Sequence, residues 1–296
     1  MFPAETEPVK LKLASKKLKV ESTTIARRIA RLEESLNTDL FYKSPRGYSL
    51  TEKGIELARY AEKIENEIFN INDNFSKSNP NIKGKVRLSL GEGIGVEIIS
   101  KYLNQFYSKY PEIEIELLAD TKSRSLSNRE ADILISLSRP EKGRLKSWKL
   151  SSYYVRLYAS KNYLKPINKI LDLKDLDDHN FVSYVDELIE FPELNYLKEI
   201  NKNLNVIFSS NSLRSQFLAV KNGVGLGLLH SFIAKNEKEL IPILPNKINI
   251  KREYWMVVHE NLFNLQRIKA VISFLNSVIK SERKNFIDHT TNFIPS

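Results

Sequence analysis

The chain contains no cysteine. It therefore has no disulfide framework, no thiolate nucleophile and no cysteine-based zinc site. Long hydrophobic runs are also missing, since no stretch approaches the roughly 18 uncharged apolar residues that span a membrane. The N-terminal residues lack the apolar segment and small-residue cleavage site of a secretory signal. These absences predict a cytoplasmic protein with no membrane partner.

Motifs of common enzyme classes are missing as well. The sequence has neither a Gly-x-Ser-x-Gly elbow nor a Gly-Lys-Ser/Thr phosphate loop. Its four histidines, at 179, 230, 259 and 289, are far apart and lack metal-ligand spacing. His230 follows an apolar run, which favours a structural role. We therefore expect no catalytic residues, no metal site and no cofactor.

Positive charge is abundant and is concentrated near the N-terminus. The 296 residues, enough for about two domains, carry a formal net charge of +10. Residues 10–31 alone contain eight basic residues against one acid, Glu21. Such density is typical of a surface that neutralises nucleic-acid phosphates. The alternative is a solvated helix face.

The first fifty residues show the pattern of a winged helix-turn-helix. Apolar repeats at 11–18 and 25–36 predict two helices, the second running from Ser22 to Leu36, around a turn at 19–21. Two strand-like runs flank a Pro-Arg-Gly turn and predict a basic hairpin, for which an ordinary hairpin of another small domain is the alternative. Hydroxyl and basic residues beside the apolar stripe suit phosphates and base edges. The candidate DNA-binding residues are Ser22, Thr23, Thr24, Arg27, Arg28, Arg31, Lys43 and Arg46.

The stretch from Ala14 to Gly54 resembles the DNA-binding domain of LysR-type transcriptional regulators. The resemblance implies that the second helix and the Arg46 wing face double-stranded DNA. Asn37 stands where the family has glycine, and asparagine tolerates left-handed backbone geometry. Pro3 and Pro8 predict that the family's first helix is short or absent here. The residues that carry the resemblance are Arg28-Ile29, Leu32-Glu33, Leu36, Leu40-Phe41, Arg46 and Leu50-Thr51-Glu52-Lys53-Gly54.

A long helix with a narrow apolar seam is predicted next. Apolar residues recur every three or four positions from Ile55 to Phe75, with charged residues between them. A seam this thin suits a partner helix, although packing against its own domain is the alternative. In the resembling family this helix pairs two subunits, which implies a homodimer or homotetramer. Residues 76–81 are predicted to form a hinge.

Strand-like and helical runs alternate from Gly84 onward. This order predicts a mostly parallel sheet with ligands at the carboxyl ends of its strands. Runs at 155–160 and 254–259 are predicted to cross between two lobes, the second with its own sheet. The other predicted elements are strands at 86–90, 113–118 and 133–136 and helices at 96–110 and near Ser125.

Six of the ten glycines lie in two clusters. The first, at 91, 93 and 95, follows a strand and precedes a helix, so it is compatible with an anion held by backbone amides and with a tight turn. The second, at 223, 225 and 227, follows a helix and opens a strand. That order is the reverse of a dinucleotide-binding fingerprint and predicts a helix cap and a close-packed strand.

The resemblance to LysR-type regulators extends to about residue 280, through motifs at 129–133, 139–143 and 223–229. It implies a two-lobed α/β effector domain, similar to the periplasmic binding-protein fold, with a small-molecule inducer between the lobes. Glu92 is compatible with a contact to a cationic group and with a solvated loop acid. The candidate effector-binding residues are Glu92, Gly93, Thr121, Ser123, Ser136, Ser138, Tyr184, Asn211 and Ser212.

These patterns predict an α/β protein with a winged helix-turn-helix at 1–54, a linker helix and hinge at 55–83, and an effector domain at 84–290. Lobe I would comprise 84–160 and 254–290, and lobe II 161–253. The predicted function is that of a LysR-type DNA-binding transcriptional regulator whose C-terminal domain binds a small-molecule inducer. The alternative is a two-lobed small-molecule-binding protein whose N-terminal domain is vestigial and does not bind DNA.

Overall fold

The chain folds as two units, Met1–Phe75 and Ser76–Ser296. The computed structural model describes residues 14–15, 18–45, 47–75, 82–120, 126, 130–140, 143–166, 170–201 and 203–286. The finer domain and lobe boundaries given above stay predictions.

The first unit is built around helix α1 (Ser22–Leu36). Its bounds confirm the prediction, and it ends where Asn37 adopts the left-handed conformation (φ 46°, ψ 45°) expected of an asparagine at this position. The preceding turn contains Lys19 with a positive φ of 53°. The helix predicted at 11–18 lies largely outside the described residues.

A hairpin and a long helix complete the first unit. Strands β1 (Phe41–Ser44) and β2 (Gly47–Leu50) pair antiparallel, which confirms the predicted hairpin. Gly47 has a φ of 138°, a conformation that favours glycine. Helix α2 (Glu52–Phe75) has 24 residues and is about 36 Å long at 1.5 Å per residue. It confirms the predicted long helix, whereas the predicted hinge at 76–81 lies outside the described residues.

The second unit contains α/β elements followed by a C-terminal helix. Short 3₁₀ turns at 99–102, 173–178, 186–188 and 192–194 lie between the strands and helices of this unit. The strands and helices are β3 (Gly84–Leu90), α3 (Glu92–Glu97), α4 (Leu103–Lys109), β4 (Ile113–Ala119), β5 (Ile133–Ser136), β6 (Leu145–Ser160), α5 (Lys161–Leu164), β7 (Asn180–Ser183), α6 (Tyr196–Ile200), β8 (Asn205–Ser209), α7 (Leu213–Lys221), β9 (Leu226–His230), α8 (Ser231–Ala234), β10 (Leu240–Ile243), β11 (Ile250–His259), α9 (Gln266–Ser281) and α10 (Arg283–Phe286).

In the part of the chain that the structure describes, nine strands of this unit form one mixed sheet in the order β4-β3-β5-β11-β6-β9-β7-β8, with β10 beside β6. Strand β3 is parallel to β4 and β5, and β7 is parallel to β8 and β9. We call the end formed by β4, β3 and β5 lobe I and the end formed by β9, β7 and β8 lobe II. Helix α3 lies in lobe I and α7 in lobe II.

The long strands β6 and β11 pair antiparallel with each other and join the two ends of the sheet. They confirm the two predicted crossings. The prediction of a mostly parallel arrangement with a separate sheet in the second lobe is wrong, because the pairing of β6 with β11 is a long-range antiparallel contact that joins both lobes into one sheet.

The predicted helix at 96–110 is also corrected. The helical segment begins earlier, at Glu92, and is broken at Ile98 (φ −120°, ψ −69°) between α3 and a 3₁₀ turn. Glycine is a poor helix former, so the positions of Gly93 and Gly95 indicate a loop in the sequence. The Ser100 hydroxyl donates to the Gly95 carbonyl over 2.9 Å, a local bond of the kind that competes with regular helix. The helix predicted near Ser125 lies outside the described residues.

The second glycine cluster has the predicted structural role. Gly223 follows α7 with a φ of 86°, and a Cβ at Gly227 would lie 2.4 Å from the Val220 Cγ2 of α7. The cluster thus ends a helix and lets β9 pack closely against it. No helix among the described residues is long and apolar enough to cross a membrane.

Candidate functional site

Helix α1 has one buried side and one basic side. Ile25 and Glu33 are buried, whereas Arg27, Arg28 and Arg31 are exposed. Thr23 at its start is exposed, and Ser22 and Thr24 are half-buried. The N-cap residue, Glu21, makes no side-chain capping bond, so its carboxylate does not occupy the amides of the first turn. The exposed face of α1 therefore combines hydroxyls, helix-start amides and three guanidinium groups, all of which suit phosphate or base contacts.

Two of the predicted apolar positions on α1 are not buried. Leu32 is 44% exposed and Leu36 is 46% exposed, while the charged residue Glu33 is 7% exposed. The prediction that the buried apolar stripe continues to Leu36 is therefore wrong. In the second half of α1, Glu33, which binds the hairpin, occupies the buried side instead.

Glu33 joins the helix to the hairpin. Its Oε1 accepts hydrogen bonds from the Leu40 and Phe41 amides at 2.9 and 3.0 Å, and its Oε2 accepts one from Lys43 Nζ at 2.8 Å. Burial alone would raise the pKa of Glu33, but these bonds outweigh it and lower the pKa. Lys43 is half exposed and is committed to this pair. The other predicted wing residue, Arg46, lies outside the described residues.

The Leu-Thr-x-x-Gly motif fixes the start of α2 against the hairpin. The Thr51 hydroxyl accepts from the Gly54 amide at 2.9 Å and donates to the Asp39 carbonyl at 2.8 Å. A Cβ at Gly54 would lie 2.0 Å from the carbonyl oxygen of Leu40. Only glycine therefore fits at this close approach of helix and strand.

Part of the predicted seam of α2 lies on the surface. Ala61 is exposed, and Ile64 and Ile68 are 62% and 53% exposed. Residues three and four apart lie on one side of a helix, so these three positions form an exposed apolar stripe, which we call the α2 stripe.

In the second unit, a cavity lies between the lobes. Its cavity volume is about 30 Å³, which is room for about two waters. It is lined by Ser89, Leu90, Gly91, Glu92, Gly93, Asp120, Leu134, Ile135, Leu137, Tyr153, Tyr184, Phe191, Leu194, Leu213, His230 and Tyr254. We call this cavity and its lining the cleft.

Buried aromatic residues form one wall of the cleft. Tyr153 of β6 and Tyr254 of β11 stack with ring centroids 4.3 Å apart and planes 14° apart. Tyr196 is not among the described lining residues, but its hydroxyl contacts the wall, 3.5 Å from the Tyr153 hydroxyl and 3.4 Å from His230 Nε2. Burial raises the pKa of each of these tyrosines well above its usual value. The wall is therefore uncharged and offers ring faces and a short hydroxyl–imidazole chain.

His230 ends β9 at the bottom of this wall. Its Nδ1 has no hydrogen-bond partner among the described residues, and it lies against Gly93, where an added Cβ would be 2.7 Å away. Burial lowers the pKa of His230 to about 3, so the imidazole is neutral at physiological pH. The predicted structural role of His230 agrees with this burial. In the described part of the chain, no three His, Asp or Glu side chains cluster as metal ligands.

The depressed pKa of His230 predicts a pH dependence of stability. Between pH 6.5, the usual value, and about 3 the unfolded chain binds a proton that the folded chain excludes. The free energy of unfolding therefore decreases as the pH is lowered through this window, by up to about 1.4 kcal/mol per pH unit. The slope of the free energy of unfolding against pH is expected to be smaller in His230→Gln, by the amount that corresponds to about one bound proton. Urea titrations between pH 6 and 4.5 measure this slope. Equal slopes in the two proteins would contradict the buried neutral imidazole.

The predicted effector residues divide into three groups. Glu92, Gly93 and Tyr184 line the cleft, and Ser212 hydrogen-bonds to Glu92. Among the described residues, the lining includes neither Ser136 and Ser138, which bond to each other at 3.3 Å, nor the exposed Asn211. Thr121 and Ser123 lie outside the described residues. Glu92 is no solvated loop acid, because its carboxylate is bound by lobe II.

Sequence reasoning missed most of the aromatic wall. Tyr153 lies beside a predicted strand and Tyr254 lies in one, but neither carries a motif. Tyr254 lies in a strand that was predicted to cross between the lobes. A tyrosine in such a strand could have indicated a residue of the cleft.

The matches to protein families agree with both units. Residues 9–55 match the bacterial regulatory helix-turn-helix protein model of the lysR family, and residues 80–280 match the LysR substrate binding domain. The chain belongs to the LysR family of transcriptional regulators. Members of this family bind DNA and small-molecule effectors, form oligomers and are not enzymes. The predicted family, two-unit fold and general function are thereby confirmed.

Individual relatives are distant. An HTH-type transcriptional regulator of Bacillus subtilis is 23% identical over 95% of this chain and 97% of its own length. The glycine cleavage system transcriptional activator homolog of Haemophilus influenzae is 24% identical over 91% of this chain and 89% of its own. Two solved structures share the fold. CrgA of Neisseria meningitidis has a TM-score of 0.59 at 21% identity, covering 93% of this chain and 95% of CrgA. A full-length OxyR variant of Pseudomonas aeruginosa has a TM-score of 0.68 at 15% identity, covering 92% of each chain.

Proposed function

We propose that this LysR-family regulator recognises its operator with α1, through Ser22, Thr23, Thr24 and the three arginines. The observation that carries the proposal is the polarity of α1, with Arg27, Arg28 and Arg31 exposed on one side and Glu33 bonded to the hairpin on the other. A helix held in this way against a wing is suited to enter a major groove with its basic side foremost. Arg46, which lies between β1 and β2 in the sequence, would contact the backbone or the minor groove.

The α2 stripe supports assembly into a homodimer, or into a homotetramer built from two dimers. Ile64 and Ile68 are more than half exposed on a helix of 24 residues, and burying such a stripe against a second copy is favourable. Two paired α2 helices would present two copies of α1 to two half-sites of one operator.

The cleft is the proposed site of the effector. It lies between two lobes that share a sheet, and polar groups, Glu92 and His230 among them, converge there on an apolar and aromatic lining. A molecule that prefers one angle between the lobes shifts the protein toward that angle. The effector would in this way change how the α1 helices meet DNA. A regulator of this kind acts in the cytoplasm, where its operator is.

The α1 proposal predicts a loss of DNA affinity when its arginines are removed. Arg27→Ala and Arg28→Ala are each expected to weaken binding to the duplex upstream of the protein's own coding sequence by roughly 5- to 150-fold, since one such contact contributes about 1–3 kcal/mol. Fluorescence anisotropy at several salt concentrations measures the affinity. For a phosphate contact, the slope of log K against log salt should also become shallower by about one.

The matched control is Arg144→Ala, which replaces an exposed arginine of the second unit. It changes the net charge of the protein by the same amount as Arg27→Ala or Arg28→Ala does. It should leave both affinity and slope unchanged. Wild-type affinity in both α1 variants would overturn the assignment of α1. A wild-type protein that binds the duplex no better than an unrelated sequence would instead favour a small-molecule-binding protein with a vestigial N-terminal unit.

A further inference from the structure

Glu92 connects the two lobes across the cleft. It is the first residue of α3 in lobe I, yet both oxygens of its carboxylate are bound by lobe II. Oε1 accepts a hydrogen bond from the Ser212 hydroxyl at 3.0 Å, and Oε2 accepts one from the Leu213 amide at 2.5 Å. The residues concerned are 120 and 121 positions apart in the chain, so this contact links lobe I to lobe II in the folded chain.

The groups that bind Glu92 form a natural anion site. Leu213 is the first residue of α7, whose start carries unpaired amides and the positive end of the helix dipole. Ser212 caps the helix by accepting from the Ser215 amide at 3.1 Å, and its own proton goes to Glu92. Hydrogen bonds to an ionised carboxylate are about twice as strong as neutral ones. The chain thus supplies, from its own lobe I, the carboxylate that lobe II binds.

This arrangement adds negative charge to the described part of the cleft lining. Among the lining residues that the structure describes, the carboxylates are Glu92 and Asp120, and His230 is buried nearby with an unpartnered Nδ1. A carboxylate effector would have to displace Glu92 and remain close to it. A neutral or positive effector meets no such repulsion, and the tyrosine faces of the wall favour a cation.

We propose that Glu92 is a built-in carboxylate ligand of α7 that closes the lobes without effector and makes the cleft select uncharged or positively charged effectors over anionic ones. This inference rests on the cleft being the effector site, but its test does not depend on DNA binding.

The test removes the built-in ligand from the full-length chain and supplies a free one. Both tryptophans, Trp148 and Trp255, lie in the second unit, so the thermal midpoint of their fluorescence reports on the lobes. Glu92→Ala is expected to lower this midpoint by about 4 °C. Three probes of nearly equal shape and different charge are then added at equal ionic strength: acetate, acetamide and the acetamidinium ion. Each raises the midpoint to the extent that it binds the folded protein.

The quantity that decides is the midpoint with acetate minus the midpoint with acetamidinium. This difference should be more positive in Glu92→Ala, where acetate restores most of the lost stability, than in the wild type. Comparing the two proteins cancels the general effects of acetate and acetamidinium on protein stability. Glu92→Gln, which fills the same space, should show little acetate rescue. The matched control is Glu97→Ala, on the same helix, which removes an exposed pair with Arg214 of α7 (3.3 Å) and should change neither the midpoint nor the probe order.

An unchanged difference between wild type and Glu92→Ala would overturn the proposal, as would an unchanged midpoint in Glu92→Ala without probe. A wild-type difference no lower than that of Glu92→Gln, which lacks the negative charge, would overturn the charge preference. Titration of the same proteins with operator DNA separates these outcomes from a failure of the proposed function, because that failure would leave the acetate rescue intact.

Discussion

Gly54→Ala is expected to weaken operator binding at least about tenfold while leaving the second unit folded. The added Cβ would lie 2.0 Å from the Leu40 carbonyl oxygen, and this obstacle is backbone rather than a mobile side chain. Relief requires α2 to move away from the hairpin, which breaks the Thr51 bonds to Gly54 and Asp39. We expect a cost of about 3 kcal/mol or more to the first unit. DNA affinity, measured by anisotropy, should fall at least about tenfold, since α1 is held by the same hairpin.

The neighbouring position provides the control for Gly54. Lys53 is exposed and pairs with Glu56 at 2.9 Å on the helix surface, and a solvent-exposed ion pair of this kind contributes little to stability. Lys53→Ala should therefore keep DNA affinity within about twofold. Tryptophan fluorescence, which reports on the second unit alone, should be the same in both variants. Normal DNA binding by Gly54→Ala would show that the close approach of α2 to the hairpin is not required.

Gly93→Ala is expected to destabilise the second unit by about 1–3 kcal/mol. The new methyl group would lie 2.8 Å from a Leu213 methyl, which can rotate away, and 2.7 Å from His230 Nδ1, which cannot. The imidazole is fixed between the rings of Tyr153 and Phe232, with centroids 4.8 and 5.3 Å from its own. The methyl group therefore acts as a wedge between the lobes. Urea unfolding followed by tryptophan fluorescence measures the loss.

The same glycine cluster offers a matched control. Gly91 precedes α3 with a φ of −64°, and nothing lies within 4 Å of a Cβ added there. Serine is a preferred residue at such a helix cap, so Gly91→Ser should preserve or raise stability. If Gly93→Ala proved as stable as Gly91→Ser, the contact between the lobes at Gly93 would have to be looser than the structure shows.

Local sequence patterns predicted the first unit well. The apolar repeat and the Asn37 cap were sufficient for the bounds of α1, and the Pro-Arg-Gly turn was sufficient for the hairpin, because neighbours in sequence determine these elements. Glu33 shows what local sequence patterns do not predict. A glutamate beside a leucine on a helix indicates a solvated position, and only the hairpin amides of Leu40 and Phe41 explain why it is buried.

The cleft was less predictable because its geometry depends on contacts between distant residues. Glu92 and Leu213 meet only in the folded chain, so the sequence could mark Glu92 as a candidate without showing what binds it. The pairing of β6 with β11 likewise follows from no local pattern. Periodicity identified both strands, but it does not reveal which strands become neighbours or that one sheet serves both lobes.

That shared sheet limits how the second unit can deform. A pair of domains joined by a flexible linker can swing freely, whereas two lobes built on the same strands must bend or twist hydrogen-bonded backbone to change their angle. The register of β11 against β6 shifts between Tyr254 and Trp255, and a bulge of this kind is a natural point for such bending. Since Tyr254 also lines the cleft, a molecule bound there would contact the irregular point of the strand pair that joins the two lobes.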